Sequence, residues 1–320
     1  MRLAVVTGAT GFIGRHLVER LAADGWRVRV VQRPESQGSA PAGVEVVRAA
    51  LMSPALAPAF AGAAAVIHLA GRTAAPSIDA YLAANARATA EVARACRDAG
   101  ARLVHVSSQA AAGPAPASRP LTEADEPRPC SPYGISKLAG ERAVRETPDL
   151  TWTIVRPVAV YGPGDRGFLP LFKLACAGWA VIPGRAEACY TLVHVRDLVR
   201  QVAGAAERPE ALGEVFFLGH PALHTARSLA AALGRACERR VRTVVVPAPA
   251  LYAAALAGDV GAWLGHPLAL DRSKYRELMS GGFACEVKKA RQVLGVEPGI
   301  DLEDGFAETA RWYREKGWIG

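Results

Sequence analysis

Residues 7–14 read TGATGFIG, with glycines at 8, 11 and 14, between an apolar run, LAVV, and a segment of helical spacing, GRHLVERLAADG. Few features restrict a fold as much as three glycines at a strand-to-helix junction. Gly8 permits a tight turn, Gly11 clears a Cβ from the path to the backbone amides, and Gly14 lets the helix pack close to the strand. The unpaired amides and the positive end of the helix then face an anion together. The spacing is that of a phosphate-cradling turn at the first crossover of a βαβ unit.

The rest of the first two hundred residues extends that unit. RLAVVTG, WRVRVVQR, VEVVRA, AAVIHLAG, RLVHVSS and WTIVRP read as strands, and helices such as YLAANARATAEVARACRDAG separate several of them. Such alternation demands right-handed crossovers and a parallel sheet covered on both faces. The expected class is α/β: a Rossmann-type, doubly wound parallel sheet with a smaller, helix-rich C-terminal substrate domain. Residues 1–165, rejoined by 190–218, are assigned to the dinucleotide-binding domain, and 166–189 with 219–320 to the smaller one. In that part GFLPLFKLACAGWAVIPG reads as a helix and a turn, and ARSLAAALGRACE, PALYAAALAGDVGAWLG and LEDGFAETARWYREKG read as helices.

The formal charge of +8 raises the question of a polyanionic partner. The tightest basic cluster, Arg235 with Arg239, Arg240 and Arg242, has no interleaved aromatics to stack on bases, which argues against nucleic acid. An anionic small molecule suits a diffuse basic surface better. The apolar run 244–264 contains Pro247, Pro249 and Asp259, so a packed helix is expected there and membrane contact is not. Six widely spaced cysteines and a start without a signal-peptide pattern point to free thiols and a cytoplasmic location. His68, His105 and His194 lack metal-ligand spacing, so no metal is expected, and there is no GxSxG elbow for a serine hydrolase.

GATGFIG, HLAG at 68–71, VSSQAAAG at 106–113, YGISK at 133–137, RPVAVYGPGD at 156–165 and LVHVRDLV at 192–199 stand in an order that resembles the extended short-chain dehydrogenase/reductases. This is the superfamily of NAD-dependent epimerases and dehydratases. The C-terminal stretch resembles its branch of 3β-hydroxysteroid dehydrogenases and dihydroflavonol-reductase-like enzymes. The resemblance implies an oxidoreductase that moves a hydride between a nicotinamide and a hydroxyl or keto group. Tyr133 is the implied acid/base, Lys137 the group that binds the nicotinamide ribose, and Ser108 the hydroxyl on the substrate oxygen. Tyr133 and Lys137, four apart, share a helix face, and a nearby ammonium would lower the phenol's pKa.

For the cofactor the resemblance implies Gly8, Thr10, Gly11, Phe12, Ile13 and Gly14 at the pyrophosphate. Arg33 and Leu51 then flank the adenosine, and Leu69, Ala70, Gly71, Asn85, Pro157 and Val158 line the remainder with Tyr133 and Lys137. Asn85 reads equally as a water-relay residue or as a helix-surface asparagine. No acidic residue ends the second strand; Gln32 and Arg33 stand there instead, which favours NADP(H) over NAD(H). The third strand, RAALMS, also lacks the aspartate expected near the adenine. Candidate substrate residues are Gln109, Phe168, Phe172 and Tyr190, with Leu169 and Trp179 beside them.

Two other functions stay open. A nucleotide-sugar epimerase or dehydratase with tightly held NAD commonly carries an arginine just before the VHV stretch, where this chain has Cys189, Tyr190 and Thr191. That loss of charge favours a lipid-like, steroid-like or polycyclic substrate. A non-catalytic dinucleotide-binding regulator is the second alternative, although such relatives usually lose the tyrosine and lysine. A homodimer is implied by the resemblance alone.

Overall fold

The computed structural model describes residues 2–36, 38, 43–263 and 272–320. In chain order the elements begin β1 (Leu3–Thr7), α1 (Phe12–Ala23), β2 (Arg27–Gln32), β3 (Glu45–Arg48), α2 (Leu56–Ala59), β4 (Ala65–His68) and α3 (Ile78–Leu82). A π-helical turn, Ala83–Arg87, joins α3 to α4 (Ala88–Asp98), followed by β5 (Arg102–Val106), α5 (Gln109–Ala112), α6 (Pro132–Arg145), β6 (Trp152–Pro157) and β7 (Ala159–Tyr161). Then come α7 (Leu169–Cys176), β8 (Trp179–Pro183), β9 (Cys189–His194), α8 (Val195–Glu207), β10 (Val215–Leu218), β11 (Leu223–Thr225) and α9 (Ala226–Ala236). The chain finishes with β12 (Arg242–Val246), α10 (Ala248–Trp263), α11 (Arg272–Met279), β13 (Gly282–Phe283), α12 (Lys288–Leu294) and α13 (Leu302–Glu315).

Seven strands form one parallel sheet in the order β10-β6-β5-β4-β1-β2-β3. Period-two alternation divides its side chains between two cores. Ala4 and Val6 of β1 face α1, α8 and α12, while Leu3 and Val5 face α2, α4 and α6. The chain order reverses at β1, with β2 on one side and β4 on the other, so a crevice opens at the carboxyl ends of these strands. Thr7, Gln32, His68, Val106 and Pro157 stand at those ends.

A second sheet joins β7, β11 and β13 to β9, and β8 pairs in parallel with β12. Around them Tyr161, Phe172, Phe306 and Tyr313 pack edge to face. The expected turn after α7 is therefore partly strand, and the apolar run from residue 244 begins as strand before Pro247 opens α10. Both strands exist through partners that local spacing does not show: Val181 lies beside Val244, more than sixty residues on. Leu264, at the end of that run, lies outside the described residues. Among the described residues no helix is long and apolar enough to cross a membrane.

Candidate active site

The glycine loop meets three different requirements. Gly8 has φ +76°, and a Cβ there would lie 2.7 Å from the Ala70 amide nitrogen. At Gly14 a Cβ would sit 2.3 Å from the Gly8 carbonyl oxygen. The fold itself demands these two. Gly11, by contrast, has φ −75°, open to any residue, and a Cβ would touch only the Gly8 oxygen, at 3.3 Å. Its bareness serves something outside the chain. Gly11 caps α1 without a side-chain hydrogen bond, so the amides of Phe12 and Ile13 stay available beside Thr10. This loop fits a pyrophosphate.

At the end of β2 Arg33 is exposed, its guanidinium 3.8 Å from Glu35. Arg48 donates to the carbonyls of Arg33, Pro34 and Ser36, which brings a second guanidinium to this edge. Gln32 is buried, and Leu51 packs at the margin of the α2–α4 core.

Ser131 caps α6 and Pro132 opens it, both favoured at those positions, which puts Tyr133 in its first turn. Gly134 lets the helix sit against α5, since a Cβ there would be 2.3 Å from the Ala110 oxygen. Ser108 caps α5 and shares a hydrogen bond with the Tyr133 phenol. Burial raises the phenol's pKa above its ordinary value; the Ser108 bond opposes this, and Glu277 and Tyr81 add to the rise. The buried Lys137 ammonium donates to the Val106 carbonyl at 2.8 Å, and burial lowers its pKa to about 8 against the pull of Glu141. Here the ammonium turns to β5, and burial outweighs the Ser108 bond at the Tyr133 phenol.

Asn85 is buried in the π turn, so the helix-surface reading is wrong. Its amide spans Arg72 N and O at 2.7 and 2.9 Å and reaches Ser136 Oγ at 2.9 Å. Gly140 makes room for this turn, because a Cβ there would meet the Asn85 carbonyl at 2.4 Å. Gly71 lies between Asn85 and Lys137. Leu69 and Ala70 follow β4 as the wall over Gly8, and Val158, just beyond Pro157, donates its amide to Leu218 at 3.1 Å.

Sequence reasoning missed the ion pair beneath this group. Arg156 on β6 grips Glu141 of α6 at 2.9 and 2.7 Å, and Ser107 donates to the same carboxylate at 2.6 Å. Both charged side chains are 1% exposed. The pair ties the helix of Tyr133 and Lys137 to β6, and Ser107 ties the same carboxylate to the end of β5 that leads into Ser108. Its signal was available, since Glu141 stands four residues after Lys137 on a helix face that turns inward.

Behind the site lies a neutral histidine network. Thr89 Oγ1 donates to the Asn85 carbonyl at 2.8 Å, so it accepts from His68 Nε2 at 3.1 Å, and Nδ1 accepts from Thr7 Oγ1 at 2.7 Å. His105 stacks on His68 with centroids 5.6 Å apart. Burial lowers the pKa of His68 to about 3 and of His194 to about 4, and pushes His105 down as well. Between these values and the unfolded value near ~6.5, the unfolded chain binds protons that the native chain refuses, so stability falls as pH falls. Urea unfolding is expected to lose stability steeply from pH ~6.5 toward ~4, with a slope of about two to three protons. A slope under one proton contradicts the network.

The substrate candidates divide. Gln109 is buried beside Ser108, and Phe168 and Tyr190 are half-buried with Leu169 at the edge of the small aromatic core. Phe172, fully buried against Phe306 and Tyr313, is corrected to a core residue. Trp179 is 43% exposed on the outer face of β8. No cluster of metal-ligating side chains occurs among the described residues.

Comparison with known proteins places the fold and the family. The model of the NAD dependent epimerase/dehydratase family matches residues 4–219. The chain belongs to that family. It is an enzyme of the extended short-chain dehydrogenase/reductase superfamily, as the reductases and epimerases among its relatives are. It is 36% identical to a ceramide reductase of Caulobacter vibrioides, across 99% of this chain and 96% of that one. It is 30% identical to a 4-hydroxy-2-methyl-3-oxo-4-farnesyl-3,4-dihydroquinoline-1-oxide ketoreductase of Stigmatella aurantiaca, across 98% and 91%. Among solved structures, MoeE5 in complex with UDP-glucose and NAD superposes with a TM-score of 0.76 at 27% identity, covering 98% of this chain and 99% of that one.

Proposed function

We propose that this family member is an NADP(H)-dependent reductase that converts a keto group on a long-chain, amide-bearing lipid into an alcohol. The observation that carries the reading is the meeting of Ser108, Tyr133 and Lys137 at the crevice beside a glycine loop whose Gly11 the fold does not need. The lipid class rests on the likeness to a ceramide reductase along nearly the whole chain, with a farnesyl-bearing ketoreductase substrate as second support.

The protonated phenol of Tyr133 is the proton donor to the carbonyl oxygen, and Ser108 holds that oxygen by a hydrogen bond that strengthens as negative charge builds. Lys137 orients the nicotinamide ribose and Asn85 holds the Arg72 backbone at the site's rear. When bound, the coenzyme supplies the hydride. Arg33 and Arg48 at the end of β2 and β3 suit a 2′-phosphate, and no carboxylate ends β2 to accept a ribose hydroxyl.

The epimerase reading draws on MoeE5, yet β9 opens with Cys189, Tyr190 and Thr191 and carries no lysine or arginine for a nucleotide phosphate. We keep the dinucleotide-binding unit at 1–165 with 190–218 and add 285–296, because Val287, Ala290 and Leu294 pack in the core of β1 and α8. A cytoplasmic location and a homodimer complete the proposal.

Screening keto lipids, aromatic ketones and UDP-sugars at the nicotinamide absorbance tests it. A keto form of an N-acylated long-chain amino alcohol is expected to be reduced with NADPH preferred to NADH, and Arg33→Ala to erode that preference. Turnover of UDP-glucose alone overturns the reading.

A further inference from the structure

The large exposed apolar side chains are not spread evenly. Trp179, Val181, Val244, Tyr252 and Leu256, each between 39% and 44% exposed, fall on β8, β12 and the start of α10. The parallel register puts Trp179 beside Arg242 and Val181 beside Val244 on one face of the two-stranded sheet. The opposite face is covered where Ala180 and Ile182 pack on Ala230 of α9. From Pro247, α10 follows directly and carries no charge before Asp259; a helix apolar on every side is normally buried, yet Tyr252 and Leu256 face out. Exposed apolar groups gathered on two paired strands and the helix that follows them in the chain mark a contact surface.

Charge selects the partner. Arg239, Arg240 and Arg242 are exposed where β12 begins and Arg185 where β8 ends, and none has a carboxylate partner among the described residues. Nearby arginines do pair, Arg227 with Glu187 and Arg235 with Glu303. Arg242 instead lies over the Trp179 ring at 5.9 Å. Aromatic and aliphatic groups ringed by unpaired arginines suit the headgroup and acyl boundary of an anionic bilayer. A second copy fits worse, because an isologous dimer through this face would oppose the same arginines.

We propose that the outer face of β8 and β12, with the start of α10, docks on an anionic membrane surface from which the lipid substrate is taken. This replaces the expectation of no membrane contact, and it rests on the lipid-reductase reading for its purpose. The full chain is tested by flotation with vesicles of phosphatidylcholine alone and with one-third phosphatidylglycerol added. Flotation with the anionic vesicles only is expected, weakened by about tenfold or more in R239E/R240E and in V181S/V244S. Both variants should reduce a water-soluble short-chain ketone at the wild-type rate, which shows that they fold. Wild-type protein that stays unbound, or variants that float as well as wild type, overturn the proposal, as does a dimer that V181S/V244S dissociates without any vesicle binding. If anionic vesicles are bound but no keto lipid is reduced in detergent, the docking surface stands and the substrate reading falls.

Discussion

Replacing Tyr133 by phenylalanine is expected to lower kcat on a keto substrate by about 10³-fold while coenzyme affinity stays nearly unchanged. General acid catalysis by a positioned side chain contributes about 10²–10⁴-fold, and in the proposed mechanism the phenol is the donor. It stands in the first turn of α6 beside Ser108, and burial raises its pKa above the ordinary value. Phenylalanine keeps the ring and removes only the oxygen, so coenzyme titration separates lost chemistry from lost binding. The same variant decides the regulator alternative, because a chain that binds the dinucleotide without turnover has no activity to lose. Wild-type turnover in Tyr133→Phe removes the mechanism.

The second large effect concerns stability. Arg156→Met leaves the Glu141 carboxylate buried without its cation, and breaking one side of a buried pair costs about 3–5 kcal/mol. Both side chains are 1% exposed, so water does not reach in to compensate. Replacing both residues, Glu141→Leu with Arg156→Met, leaves no uncompensated charge and should recover most of the loss, short of about 1 kcal/mol for the stranded Ser107 hydroxyl. Urea unfolding at neutral pH checks both. A single variant within about 1 kcal/mol of wild type would mean that the pair is not what joins α6 to β6.

The larger sheet was legible because its strands are short apolar runs bounded by glycines and helices, and each neighbour in space is set by crossover rules. Gly8 and Gly14 were legible because backbone clearance marks them locally, and Tyr133 and Lys137 show a four-residue helical spacing, whereas Ser108 and the roles of all three side chains came from the motif resemblance alone. What the chain hides is long-range. The pairing of β8 with β12 depends on residues such as Val181 and Val244, which are as apolar as many helix residues and announce no partner. Phe172 read as pocket lining because an aromatic near a site and an aromatic in a core have the same local pattern; only Phe306 and Tyr313, far along the chain, decide. Asn85 was ambiguous until the π turn brought it onto Arg72 and Ser136, and the direction of the Lys137 ammonium depends on the Val106 carbonyl.

Reduction with coenzyme carrying deuterium at nicotinamide C4 tests the central claim most directly. Mass spectrometry is expected to find one deuterium on the carbinol carbon of the reduced long-chain lipid, and unlabelled, unconverted UDP-glucose in the same mixture. An unlabelled lipid alongside conversion of UDP-glucose would contradict the account.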